Sequence, residues 1–231
     1  MRIDILSIFS ENYFAPLNDS IVKRAQESGV VQIGYRNLRD YTDDLHRTVD
    51  DRPYGGGPGM VFKLEPLYNA ITDIKREESV LICPSPCGEV LCQSVIKDLL
   101  CYKHIIFICG HYEGIDDRIN NLFPVREISI GDYVLTSGAL ASTVIIDAVV
   151  RQIPGVVGCG DSVLEDSFYD GLLDHPHYTR PAEFMGLRVP EVLLSGNHHE
   201  IAKWRKEKAE ESTKRRRPDL WERYMKSKHI Y

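Results

Sequence analysis

The chain has 231 residues, 43% hydrophobic and 27% charged, with a formal net charge of −6. That supplies a full core, and points to one large domain with a smaller one beside it. The opening run MRIDILSIF carries Asp4 and too few apolar residues for a secretory signal, and no apolar run approaches membrane-spanning length, so the expected protein is soluble and cytoplasmic, with no membrane partner.

In chain order, RIDILSIF reads as a first strand, DSIVKRAQES as a helix with Asp19 as N-cap and Gly29 just past its end, and VVQIGYRNL as a second strand. Strand, helix, strand is βαβ grammar. It continues with a helix near Pro66–Arg76, a strand at Ser79–Cys83, a helix near Ser94–Leu100 and a strand at His104–Cys109. A short helix near Ile115–Leu122, a strand at Val125–Ile130 and a long apolar helix over Gly138–Val150 complete the unit. The alternation predicts an α/β fold with a mostly parallel sheet. After Arg151 the segment QIPGVVGCGDSVLEDSFYDG, rich in glycine and acid and without a basic residue, reads as a linker or mobile loop dividing two domains. Beyond it, HPHYTRP, RVPEVLLSGNHHE and a basic stretch suggest a compact, largely helical C-terminal part.

Charge is distributed unevenly. Residues 197–231 hold eleven Lys and Arg against six Asp and Glu, whereas residues 1–196 hold seventeen against twenty-eight. Lys203, Arg205, Lys206 and Lys208 share a helical stretch with Trp204, and KRRRP follows, which suits a phosphate backbone as well as a merely solvated helix face. The six cysteines, Cys83, Cys87, Cys92, Cys101, Cys109 and Cys159, form no CxxC pair or His-rich cluster and read as reduced, packed thiols rather than a zinc site.

Several turns can carry chemistry. DDRPYGGGPGM, from Asp50 to Met60, allows backbone conformations closed to other residues and lets a ligand or a second chain approach the main chain. It lacks the GK[ST] of a phosphate-binding P-loop. SPCG, GHYEG and IGDYVLTSG each follow a predicted strand, and three strand-end turns together can build a pocket for an adenosine-like ligand: backbone groups read the base, apolar side chains sandwich it, and a carboxylate takes the ribose. Acid–base candidates are Asp161, Glu165, Asp166, Asp170 and Asp174 of the acidic loop, with Glu113 and Arg151. A carboxylate becomes a base near neutral pH only when its surroundings tune it, and a solvated or cation-binding acidic loop is the plainer reading.

Taken together, HRTVDDRPYGGGPGM, GHYEGIDDR, SIGDYVL, the R-x-IPGV run from Arg151, EDSF, GLLDHPHYTRP and VPEVLLSGNHHEI closely resemble the bacterial tRNA (guanine-N1)-methyltransferases of the SPOUT class. They occur in order across nearly the whole chain. The resemblance implies a SPOUT-type α/β domain with a deep trefoil knot over residues 1–159, an interdomain linker over 160–172, and a helical tRNA-binding domain over 173–231. It implies methyl transfer from S-adenosylmethionine to N1 of the guanosine 3′ of the anticodon, position 37 of tRNA. It also implies an obligate homodimer whose active site is shared between subunits. Matched position by position, Ser85, Pro86, Gly110, Tyr112 and Glu113 fall on the methyl-donor site, as do Ile130, Gly131, Asp132, Tyr133, Val134, Leu135 and Gly138. Asp166 falls on the general base and Arg151 on the residue that stabilises the guanine, and the resemblance also allows a Mg2+ ion near Glu113 and Asp166.

Two places depart from the family pattern. His111 stands where the family commonly has arginine, and LTSGALA over Leu135–Ala141 replaces the usual LSGGELP, which bears on Ser137, Ala139 and Ala141. The alternatives are a SPOUT enzyme acting on another RNA position and a non-catalytic RNA-binding dimer.

Overall fold

A computed structural model of the protein describes residues 1–157 and 166–228. Asp161 and Glu165, two of the acid–base candidates, lie outside the described residues, as does Cys159. The chain divides into two compact units, Met1–Gly158 and Cys159–Tyr231.

Besides a short antiparallel pair, β3 (Asp50–Asp51) and β4 (Val61–Phe62), the first unit is built on five strands, β1 (Arg2–Ser7), β2 (Gln32–Asn37), β5 (Ser79–Val90), β6 (His104–Ile108) and β7 (Val125–Ser129), in the order β2-β1-β6-β5-β7. Every neighbouring pair of the five is parallel, as the alternation of elements predicts. Successive strand residues point to opposite faces, and both faces are covered. Ile105, Phe107 and Cys109 join one buried cluster while Ile106 and Ile108 join the other. The helices α1 (Ser20–Glu27), α3 (Gln93–Leu99) and α5 (Gly138–Arg151) supply the first cluster, and α2 (Leu64–Ile74) and α4 (Ile119–Leu122) the second. Each fully buried Ile or Phe contributes about 1.5–3 kcal/mol, so this two-sided burial carries the fold.

Local chemistry sets the element ends. The Asp19 carboxylate accepts the Ser20 N–H at 2.6 Å where α1 begins, and Gly29 turns left-handed, φ +73°, just after it ends. In α2, Pro66 sits in the first turn, where its missing N–H has no intrahelical partner to lose. The expected helix over 115–122 shrinks to α4, because Tyr112–Asp116 are committed elsewhere. There the Phe62 N–H donates to Gly114 O at 3.0 Å and the Asp116 N–H to Phe62 O at 3.1 Å.

Where the strands begin, polar side chains are buried against one another. Asp4 is fully buried, its carboxylate taking hydrogen bonds from Arg2 Nε at 2.6 Å and His104 Nε2 at 2.8 Å. Gly34 on β2 has no Cβ because Asp4 Oδ1 occupies that space. The Ser79 hydroxyl oxygen accepts the Arg76 N–H at 2.8 Å, so its proton points to His104 Nδ1, also 2.8 Å away. That fixes the His104 proton on Nε2, facing Asp4. Burial alone would push Asp4 up, but the hydrogen bonds from Arg2 and His104 outweigh it and hold the carboxyl below the usual range.

The second unit contains a hairpin, β8 (Glu183–Phe184) and β9 (Leu187–Arg188), and three helices, α6 (Glu191–Leu194), α7 (His198–Arg216) and α8 (Pro218–Lys228). The hairpin is absent from the sequence reading. Its two-residue strands are too short to show alternation, and its turn is Met185–Gly186, with φ of +50° and +78°. Asn197 caps α7 by accepting the Glu200 N–H at 3.3 Å, and Glu210 of α7 accepts from Tyr224 at 3.1 Å and Lys228 at 3.0 Å of α8.

Candidate functional site

At the opposite end of the sheet, where the strands finish, three chain segments enclose a cavity of about 460 Å³. They are Cys83–Cys87 from β5, Gly110–Ile115 after β6, and the stretch from Glu127 to Gly138 that leads into α5. The first is a correction. Ser85–Gly88 does not end its strand, because β5 runs on to Val90 with a register shift in which Pro84 and Glu89 both face Ile128 of β7. The intervening residues bulge out of the ladder toward the cavity. Gly88 permits this, since the Glu127–Ile128 backbone fills the space a Cβ would need. Arg126 of β7 ties Glu89 and Asp98 together and closes the far side of the bulge.

The other two segments are stitched to each other. The Gly138 N–H donates to Gly110 O at 2.8 Å, and a Cβ on Gly138 would stand 3.1 Å from Gly110 N. His111 Nδ1 donates to the Thr136 carbonyl at 2.8 Å, its ring 4.2 Å from Tyr112 and 5.3 Å from Phe9. Tyr112 itself is left-handed, φ +55°, a costly conformation for a residue with a Cβ. The glycine loop meets this turn from outside. Glu113 lies where a Gly59 side chain would be, and its N–H donates to Met60 O at 3.0 Å. The group that approaches the glycine backbone is therefore a carboxylate of the same chain.

Of the residues expected at a donor site, Ser85, Pro86, Gly110, Tyr112 and Glu113 line the cavity, as do Ile130, Gly131, Tyr133, Val134, Leu135 and Gly138. Asp132 does not; it is exposed and off the lining. Sequence reasoning missed His111, Asp117, Asn120 and Glu127, which also line it. His111 was visible only as a departure, and the others carry no turn signal. The lining includes Glu113, Asp117 and Glu127, and among the described residues no Lys or Arg. Such a field favours a positively charged ligand and disfavours a phosphate-bearing one. Burial pushes the Cys83 thiol at the cavity wall up to about 12, reinforced by Glu127, so that sulfur stays protonated and is no nucleophile.

Arg151 ends α5, half-buried, in the first unit. Asp166 belongs to the second unit, where its carbonyl accepts the Tyr169 N–H at 3.3 Å and the neighbouring Ser167 Oγ accepts the Asp174 N–H at 2.9 Å. In that unit Lys214, Arg215 and Arg216, in the last turn of α7, are all exposed. Among the described residues no helix is long and apolar enough to cross a membrane.

Comparison with known proteins places the chain. The family described as tRNA (Guanine-1)-methyltransferase TrmD matches residues 1–223. A tRNA (guanine-N(1)-)-methyltransferase of Carboxydothermus hydrogenoformans is 54% identical over 220 residues, covering 95% of this chain and 87% of its own length. The corresponding protein of Dictyoglomus turgidum is 51% identical over 223 residues, covering 96% and 91%. That of Anoxybacillus flavithermus is 50% identical over 229 residues, covering 97% and 93%.

Proposed function

The chain belongs to the tRNA (guanine-1)-methyltransferase family, and on that premise we propose that it moves the methyl group of S-adenosylmethionine to N1 of the guanosine 3′ of the anticodon in tRNA. The observation that carries the donor assignment is the acid-lined cavity with no Lys or Arg among its described lining residues. A donor that bears an ammonium and a sulfonium suits that field, and a nucleotide polyphosphate does not. The volume of about 460 Å³ falls within the ordinary range for small-molecule sites, and glycine backbone at Gly110, Gly131 and Gly138 leaves main-chain groups able to read an adenine edge. Bound there, S-adenosylmethionine supplies a methyl group already activated by a positive sulfur.

The remaining chemistry falls to the protein. N1 of guanine carries a proton and is a poor nucleophile until that proton leaves, while negative charge gathers on O6. Asp166 is the proposed base that takes the N1 proton, and Arg151 the proposed cation that stabilises O6. The exposed Lys214, Arg215 and Arg216 of α7 support an RNA backbone as partner. Leu140 and Val144, one helical turn apart on α5 and 42% and 48% exposed, support the proposed homodimer by offering an apolar stripe.

The experiment locates labelled methyl in tRNA after incubation with the protein. Label on guanine N1 beside the anticodon is expected, and label elsewhere overturns the substrate assignment. Asp166→Asn should lower turnover by about 10²–10⁴-fold while still binding the donor, and near-normal turnover would remove Asp166 as the base.

A further inference from the structure

Asp174, His175 and His177 lie in the GLLDHPHYTRP run, and the proposed methyl transfer gives none of them a step, yet their donor atoms converge. Among the described residues they are the group of three His, Cys, Asp or Glu side chains whose ligand atoms all lie within 4.8 Å of one another. His177 Nε2 stands 2.8 Å from Asp174 Oδ2, and His175 Nε2 stands 3.7 Å from Asp174 Oδ1.

Proton placement separates the two rings. The Pro176 carbonyl, 3.2 Å from His175 Nδ1, can only accept, so Nδ1 carries the proton and Nε2 of the neutral ring keeps its lone pair. That lone pair faces a carboxylate oxygen, an arrangement that is repulsive until a proton or a metal cation lies between them. A metal-bound imidazole ordinarily has its other ring nitrogen held by a carbonyl or carboxylate in this way.

The frame is also fixed. The Asp174 N–H donates to Ser167 Oγ at 2.9 Å, and the Leu173 N–H donates at 2.8 Å to Thr213 Oγ1, which is buried on α7. The His175 ring lies 4.5 Å from that of His177 and 6.3 Å from that of Trp204, with its side chain only 11% exposed. His177 is 70% exposed and leaves one side open to water.

We propose that Asp174, His175 and His177 bind a divalent transition-metal ion of the zinc class, through two imidazole nitrogens and one carboxylate oxygen, with water completing the shell. Two nitrogens and one oxygen suit Zn2+, Co2+ or Ni2+; Mg2+ and Ca2+ prefer all-oxygen sets. Binding displaces the Nε2 proton that His177 now donates to Asp174. The neutral ring regains a proton at Nδ1 from solvent, and no electron is transferred. The site stands independently of the methyl-transfer reading.

The test titrates the untagged, chelator-stripped full chain with Zn2+ by calorimetry and with Co2+ by visible absorption, with neither tRNA nor methyl donor present. One ion per chain is expected, with ligand-field bands of a nitrogen–oxygen site and no thiolate charge-transfer band. His177→Ala and Asp174→Asn should each weaken binding by about ten-fold or more, while His198→Ala, at the exposed start of α7, should leave it unchanged. Zn2+ should raise the Tm of the parent protein and not that of His177→Ala, a variant at a mostly exposed side chain that leaves packing intact. Absence of binding, equal affinity in parent and His177→Ala, or a thiolate band on Co2+ overturns the proposal.

Discussion

Where the five strands begin, Arg2, Asp4, Ser79 and His104 meet one another; where they finish, the bulge of β5 and the two turns after β6 and β7 meet a cavity. Both ends are polar, and both sit on the same apolar sheet. At the first, side chains satisfy side chains, so desolvation is offset within the protein. At the second, glycines, tyrosines and apolar side chains form the walls, and the carboxylates of Asp117 and Glu127 join Glu113 in a lining that holds no Lys or Arg among the described residues. The difference teaches that a buried charge at one end of an α/β sheet can serve the scaffold alone, while ligand chemistry collects at the other.

The comparison breaks most readily at Asp4. Asp4→Asn leaves Arg2 and His104 without their carboxylate, and should cost about 3–5 kcal/mol in urea unfolding near pH 7 while donor affinity of the folded protein stays unchanged. The sign with pH follows from the direction of the shift. The folded carboxyl lies below its unfolded value of about 3.9, so its contribution is fully present above that pH and is lost as pH falls through the folded value. The stability gap between parent and Asp4→Asn should therefore close on acidification; a gap that stays constant would mean that the charge is not what matters. Next in size is the other end. Gly138→Val presses a side chain onto Gly110 and should weaken S-adenosylmethionine binding by about ten-fold, or about 1.4 kcal/mol, with a stability loss near 1 kcal/mol. A loss of stability without loss of affinity would erase the contrast between the ends. The smallest effect is expected from Tyr133→Phe, which removes the hydroxyl that donates to Ile130 O at 3.1 Å on a side chain 55% exposed. Unfolding should shift by about 0.5 kcal/mol or less, and calorimetry with the donor reads any larger change in affinity.

The strands and their parallel order were legible because both faces of this sheet are buried, which produces short apolar runs bounded by turn residues, and because Asp19 and Gly29 mark the ends of α1 so plainly. The bulge at Ser85–Gly88 was not. Proline, serine and glycine in succession read as a strand end, and only the fit of Gly88 against the β7 backbone carries the strand on to Val90. Nor was the network at the strand starts, since Asp4 and His104 lie 100 positions apart and a lone acid in a strand-like run carries no sign of its partner. The cavity itself was readable as strand-end turns. Its acidic character was legible only at Glu113, because Asp117 falls where a helix is predicted and Glu127 within a predicted strand, while Asp132 of SIGDYVL is not part of the lining.

The buried thiols of Cys83 and Cys109, both pushed up to about 12, give the molecule an internal clock. Among the described cysteines, an alkylating reagent at neutral pH should first meet Cys92, which is exposed and whose thiol is pulled down by its Ser94 hydrogen bond, and then the exposed Cys87 and Cys101. Cys83 and Cys109 become reactive only when the sheet opens. The rate at which Cys83 is labelled therefore counts openings of the cavity wall, that of Cys109 openings of the core beneath it, and a ligand that holds the wall shut slows the first count.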